Sequence, residues 1–437
     1  MQRWTRRKVC RTAAAAAVLL VARRSWAKDP PGKAEVYAKD VEFLLDTFGK
    51  KAAALLKQKG VDWKAVDKEF TAAAKAVRSD GDHLKLCGRL IARLRDGHAG
   101  FTKLNVPWPD ESSGRKQGGP GVFLTVQDQH VLVKQAWSNA ADAGLAPGVE
   151  LRTIDDKAAR AWLDAKAAEM RDTTGYSTDH QALYAACHWG LGDWQGTSIE
   201  FAFAQKAKIE KAKVVRGRAS VIPVGPVFPP KDLKETGRQS YGRTAGGFGY
   251  LHLRDVPGEL PAQIDEALAA IGDAPGLILD CRANGGGGCD HEAAFGRFVP
   301  AGTTWQQYKS AGAAPFAGPM VVLVDAGVRS AGETVAGMFK EDGRAYMIGE
   351  GPTAGMASQK EEVTVPSGMF TVRFSVASNK GRFNGGRGIE GIGVPPHEVV
   401  PYDAADLAKG VDTEIRRAEE LLRGGFPKGV VRYAPGR

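Results

Sequence analysis

The sequence predicts an α/β protein: a partly parallel sheet covered by helices, preceded by a smaller β-rich unit and a short helical region. Three patterns carry this expectation. From Gly249 onward, apolar strands alternate with helical segments. Residues 118–217 hold short strands separated by glycine- and proline-marked turns. Residues 34–95 repeat apolar side chains at helical spacing.

Taken in order, Val36, Val41, Phe43, Leu44 and Leu45 open an apolar helical face, and Leu84, Leu86, Leu90, Ile91 and Leu94 form a second. Asp96-Gly97-His98 ends that run, with Gly97 as the expected helix stop. Residues 105–120 read as a linker. Strands are expected at 122–126, 130–133, 150–155 and 198–203, with a short helix and turn at 140–148 and a helix around Trp162. Residues 221–230, with four prolines, read as a second linker. The alternating part then runs strand 250–253, helix 262–271, strand 277–280, helix 292–298, strand 320–325 and helix 331–339. Strands at 363–365 and 370–374 flank Pro366-Ser367-Gly368 as a hairpin, and 405–423 form a terminal amphipathic helix. The expected units are 1–27 (leader), 28–117 (helical), 118–217 (β) and 218–437 (α/β).

The chain has 437 residues and a formal net charge of +10, but seven basic residues and no acid fall within 1–27, which leaves +3 for the rest. That balance gives no electrostatic footprint for nucleic acid. Arg3 to Arg11 form a basic region, Ala13 to Ala22 a short apolar one, and Ser25-Trp26-Ala27 a small-x-small site, so cleavage after Ala27 and export to the periplasm or beyond are expected. Arg23 and Arg24 keep an uncleaved anchor open, and no later stretch is long and apolar enough to span a membrane. Cys87, Cys187, Cys281 and Cys289 would remain, too few and too far apart for a disulfide framework or a zinc site, although Cys281 and Cys289 could pair.

Two segments carry chemistry. Asp280-Cys281-Arg282-Ala283-Asn284 leads into Gly285 to Gly288 directly after a buried strand, so backbone can approach a ligand closely. It lacks the Lys-Ser/Thr of a P-loop and could be a plain turn. In Asp325-Ala326-Gly327-Val328-Arg329-Ser330, a strand ends and a helix begins immediately after a serine. Ser330 could be only an N-cap, but the same place suits a nucleophile with helix-start N–H groups facing a developing oxyanion.

These segments, with Ile348-Gly349-Glu350, Thr353-Ala354-Gly355 and Gly391-Ile392-Gly393-Val394-Pro395-Pro396, resemble the tail-specific (C-terminal processing) and tricorn-core serine peptidases over roughly residues 85–400. The resemblance implies a ClpP/crotonase-like catalytic domain with Ser330 as nucleophile. It also implies a PDZ-like module at 118–217, whose carboxylate loop would be Gly121, Val122, Phe123 and Leu124. Tail-specific relatives place a lysine where this chain has Met356, and a thioether takes no proton. The tricorn-like branch uses His and Glu instead, which maps onto His98 in Leu94-Arg95-Asp96-Gly97-His98 and onto Glu390. Lys360 is the alternative base, and His397 stands where relatives carry Asp.

The expected reaction is acyl transfer on exposed or unfolded polypeptides with free C-termini, without metal or organic cofactor, the oxyanion held by the N–H groups of Gly286 and Ala331. The sequence leaves oligomeric state open. Two other readings fit the same residues: a non-catalytic PDZ-type peptide-binding protein, suggested by the missing lysine, and an acyl-CoA enzyme of crotonase-like architecture.

Overall fold

The computed structural model describes residues 32–109, 114–205, 208–379 and 381–433, so the expected leader and its cleavage site lie outside the described residues. The α/β part is built on a seven-stranded sheet. A hairpin of Lys234–Thr236 and Gln239–Arg243 edges five mutually parallel strands: Gly249–His252, Leu277–Asp280, Met320–Val324, Tyr346–Gly349 and Glu398–Val399. Leu277–Asp280 and Met320–Val324 are buried at every residue, as inner parallel strands covered on both faces must be. The pleat divides them. Leu251, Leu279, Val322 and Met347 face a core closed by helices Leu260–Ile271, His291–Gly296 and Ala331–Glu341. Tyr250, Ile278, Val321 and Ile348 face Ile415, Ala418 and Leu421 of helix Thr413–Gly424. The expected terminal helix is therefore two, Ala404–Ala408 and Thr413–Gly424, because Asp412 caps a fresh start by accepting from Ile415 N–H at 3.1 Å.

Residues 118–217 form an antiparallel sheet ordered Val122–Gln127, His130–Ala136, Glu150–Ile154, Ser198–Gln205 and Lys208–Val215, with Val122–Gln127 at one edge. Helices Ala159–Thr173 and Asp179–Cys187 pack on it through Leu163, Met170, Ala182 and Ala185. The sequence reading lacked strand Lys208–Val215, whose mostly exposed, lysine-rich pattern hides the alternation. It also lacked helix Asp179–Cys187, announced only by its N-cap Thr178.

The N-terminal helices Lys33–Lys51, Ala53–Gln58, Trp63–Ala74 and Asp80–Ala92 do not form a separate unit. Val41, Leu44, Phe48 and Leu90 share one core with Phe370, Val372 and Phe374, and strand Gly100–Leu104 pairs antiparallel with strand Phe370–Ser378, which also pairs with Ser358–Thr364. Buried Asp40 clasps the hairpin turn, accepting from Ser367 N–H at 2.9 Å and Ser367 Oγ at 2.5 Å. The helical region expected at 28–117 thus shares its core with Val365, Phe370, Val372 and Phe374 of the expected α/β unit. The helix before His98 ends at Ala92, earlier than Gly97, and the left-handed turn falls on Arg95 with φ 48°. Gly97 is required for space: a Cβ there would lie 2.8 Å from Met356 Sδ.

Candidate active site

Ser330 stands between strand Met320–Val324 and helix Ala331–Glu341 with φ 55° and ψ −125°. A non-glycine residue held there stores on the order of 1–3 kcal/mol, which the surroundings must sustain. The buried Glu333 carboxylate does much of that holding. It accepts from Ser330 N–H at 3.1 Å, Thr353 Oγ1 at 2.6 Å, Gly355 N–H at 2.7 Å and Met356 N–H at 2.8 Å. Burial pushes its pKa up to about 7 against the pull of those donors. Glu333 thereby ties the Ser330 turn to the chain at 353–356. The Ala331 N–H has no acceptor among the described residues and points from the positive end of the helix.

The glycine loop lies directly against this turn. A Cβ on Gly286, whose φ is +81°, would fall 2.8 Å from Ser330 Cβ and 2.7 Å from Arg329 O, so only glycine fits. The Gly286 N–H donates to Asn284 Oδ1 at 2.8 Å, so this expected oxyanion donor is already engaged, and Ala331 is the free member of the pair. Asn284 is itself fixed by donating from Nδ2 to Leu253 O at 2.7 Å. Arg282, 1% exposed, anchors the loop from beneath. Its guanidinium donates to Asp280 at 2.6 Å, Asp412 at 2.9 Å, Glu414 at 2.7 Å and Tyr402 Oη at 2.8 Å.

His98 approaches from the other side. Asp96 Oδ1 accepts from His98 N–H at 2.9 Å and Oδ2 from Ser375 N–H at 2.7 Å, which fastens the histidine loop to strand Phe370–Ser378. His98 Nδ1 lies 3.4 Å from Ser358 Oγ. Burial lowers the imidazole to about 4, with Lys360 and then Arg329 and Arg373 adding to the effect, so the ring is neutral at pH 7. Asp96, His98 and Glu390 bring one ring nitrogen and two carboxylate oxygens within 4.8 Å of one another. The fully buried Glu390 does more than face the histidine, however. Its Oε1 accepts from Lys59 Nζ at 2.6 Å and from Ser177 Oγ at 3.0 Å, while Oε2 has no donor among the described residues. Burial raises Glu390 to about 7, with Lys59 opposing. These three residues are also the candidate metal group among the described residues. They fit a cation poorly, since Lys59 already neutralises Glu390 and two N–H groups occupy Asp96.

Met356, where a dyad lysine would stand, is buried between the two halves. Its Sδ accepts from Gln181 Nε2 at 3.0 Å. Lys360 lies on the exposed side of strand Ser358–Thr364, and burial of its stem lowers its pKa. His397 is remote from this chemistry. Its Nδ1 accepts from Met347 N–H at 2.9 Å and its ring stacks on Tyr346, so it pins the strand Tyr346–Gly349. Cys281 and Cys289 are both free thiols. Gly121, Val122, Phe123 and Leu124 are buried at the edge strand, with Phe123 against Trp137 and His188.

Lys59, Ser177 and Glu333 are site residues that the sequence reading missed. Glu333 had a usable signal, the serine-to-glutamate spacing of a capping box. Lys59 and Ser177 had none, because each looks like an ordinary surface residue until the fold brings it to Glu390.

Residues 247–400 match the profile of Peptidase family S41. That match covers the α/β part of the chain, from strand Gly249–His252 to strand Glu398–Val399. Tricorn protease homolog 2 of Streptomyces coelicolor is 24% identical over 391 residues, covering 84% of this chain and 31% of that protein. A carboxyl-terminal-processing protease of Synechocystis is 25% identical over 328 residues, covering 70% of this chain and 69% of that one. The chain therefore spans about a third of the first relative's length and about two thirds of the second's. The crystal structure of mature CPAF superposes with a TM-score of 0.66 at 14% identity, over 92% of this chain and 99% of that one, and shares the fold. The match over residues 247–400 weighs against the acyl-CoA reading.

Proposed function

We propose that this chain is an exported serine endopeptidase that cleaves exposed or unfolded polypeptides near free C-termini, with Ser330 as nucleophile, His98 as base and Glu390 as its orienter. The observation that carries the reading is the strained Ser330 turn beside an uncommitted helix-start N–H on Ala331. Ser330 Oγ attacks the scissile carbonyl as His98 takes its proton, and the protonated ring then supplies the leaving amine. The neutral state of His98 at pH 7 leaves it able to accept that proton. Glu390, anchored through Oε1, has Oε2 left to receive an imidazole N–H. The Ala331 N–H receives the oxyanion, joined by a glycine-loop N–H once Gly286 or its neighbour Gly287 turns towards it.

The unit at 118–217 acts in this reading as a PDZ-like module. Its free edge strand Val122–Gln127 lies beside helix Asp179–Cys187, the arrangement that strand addition of a peptide uses. The test is fluorophosphonate labelling followed by peptide mapping. Label on Ser330 in the wild type, lost in Ser330→Ala and reduced in His98→Ala, is the expected result. An unlabelled wild-type protein that leaves denatured polypeptides intact would favour the purely peptide-binding reading. Export is checked by N-terminal sequencing of secreted material, expected to begin after Ala27.

A further inference from the structure

Two arginines flank the reacting groups, and the fold treats them oppositely. Arg282 is saturated by Asp280, Asp412, Glu414 and Tyr402. Arg329, the residue before the nucleophile, has no carboxylate partner among the described residues, and its Nε is buried without an acceptor. Its guanidinium lies beside the glycine loop, Nη2 being 3.9 Å from where a Cβ on Gly285 would stand. It sits 5.8 Å over the Trp189 ring, near the outer limit of a useful cation–π contact. It is close enough to His98, Tyr176 and Tyr184 to disfavour positive charge on the first and favour ionisation of the other two. A guanidinium kept partly from water with an unsatisfied donor is unfavourable unless a ligand completes it.

The acids nearby cannot do so. Both oxygens of Asp96 hold backbone N–H groups, and Glu390 is held by Lys59 and Ser177. Lys360, the strongest charge acting on His98, likewise has no ion-pair partner among the described residues, whereas the neighbouring Arg373 is paired with Glu362 at 2.6 Å. Two cations that act on His98, Arg329 and Lys360, are therefore without a carboxylate partner among the described residues. The planar donor fork of arginine matches a carboxylate in bidentate geometry.

We propose that Arg329, assisted by Lys360, binds a carboxylate of the substrate beside the scissile bond and makes this peptidase selective for anionic peptides. The proposal rests on Ser330 being the nucleophile. The carboxylate could come from the peptide's C-terminus or from an Asp or Glu side chain near the cleavage point, and recognition is the same for both.

The experiment starts from a peptide cleaved out of a denatured protein, made in four versions: free or amidated C-terminus, each with Asp or Asn near the scissile bond. Affinity is read by fluorescence anisotropy on the Ser330→Ala protein, and kcat/KM on the wild type. Removing the carboxylate that matters should weaken both at least about tenfold, the effect of a lost charge-assisted hydrogen bond. Loss on amidation assigns the C-terminus, and loss on Asp→Asn assigns the side chain. Arg329→Met should bring the anionic-to-neutral ratio close to one, and Arg329→Lys should restore part of it. If Arg329→Met turns over no peptide, the same ratio is read from binding in the Ser330→Ala background. Equal affinity for all four versions, or an undiminished preference in Arg329→Met, overturns the proposal. Fluorophosphonate labelling of Ser330 without carboxylate preference sinks this inference alone, and carboxylate preference without labelling sinks the peptidase reading while leaving the anion site.

Discussion

The serine half of the candidate site and the histidine half are built in different ways. Ser330, Glu333, Asn284 and Gly286 come from two strand ends that are neighbours in one sheet, so each turn is fixed mostly by its own sequence. His98 and Glu390 are joined by Lys59, Ser177, Asp96 and Ser375, contributed by the N-terminal helices, the β unit and the late hairpin. The first half is rigid because it is local. The second exists only when three regions pack together, and its two titrating groups both carry the mark of burial: His98 lowered to about 4 and Glu390 raised to about 7. Chemistry that depends on the second half should therefore respond most to distant mutations, while pH reaches both halves, since buried Glu333 beside Ser330 is also raised to about 7.

The largest effect tests the local half. Ser330→Ala should abolish turnover, a loss of roughly 10⁴-fold or more, with little change in melting temperature. Residual turnover within tenfold of wild type would mean that the nucleophile lies elsewhere. Next, His98→Ala should lower kcat by about 10²–10⁴-fold, while Lys360→Ala, assayed on a neutral peptide, should stay within a few fold. A reversal of that order would restore a Ser–Lys dyad and erase the contrast drawn here.

The pH profile sharpens the comparison further. Glu390 is uncharged below about pH 7 and then cannot accept firmly from the His98 ring, so kcat/KM should rise as pH increases through about 7. A second limb near pH 4 belongs to His98 itself, lower than an unperturbed histidine because burial disfavours its cation. In Glu390→Gln the limb near 7 should shrink to the part that Glu333 contributes. Because Lys59 holds the Glu390 ionisation down, Lys59→Met should move that limb to higher pH, and a profile unmoved by Lys59→Met would show that Glu390 does not govern it. The smallest effect is expected from Ser177→Ala. It removes one hydrogen bond to Glu390 and the acceptor for Gly97 N–H, costing about 1–3 kcal/mol of stability by thermal melting.

Legibility in the sequence followed the same division. Strand Leu277–Asp280 and the starts of strand Met320–Val324 and helix Ala331–Glu341 were readable because burial on both faces demands unbroken apolar runs. The expected oxyanion donor Gly286 was readable as a glycine but not as an occupied one, since whether its N–H is free depends on the rotamer of Asn284. What the N-terminal helices pack against was not readable, because residues 358–378, which complete their core, lie far along the chain, and amphipathic patterning says that a face is buried without saying against what.

By itself the sequence determined the parallel α/β core, the serine turn, the glycine loop and the replacement of the usual lysine by Met356, all set by composition within a few residues. Only the tertiary structure decided that Glu390 is shared with Lys59 and Ser177, that Glu333 bolts the serine turn to residues 353–356, and that Arg329 has no carboxylate partner among the described residues. Those are facts about which charges are desolvated together. Desolvation depends on what the rest of the chain packs around a group, and no local stretch of sequence contains it.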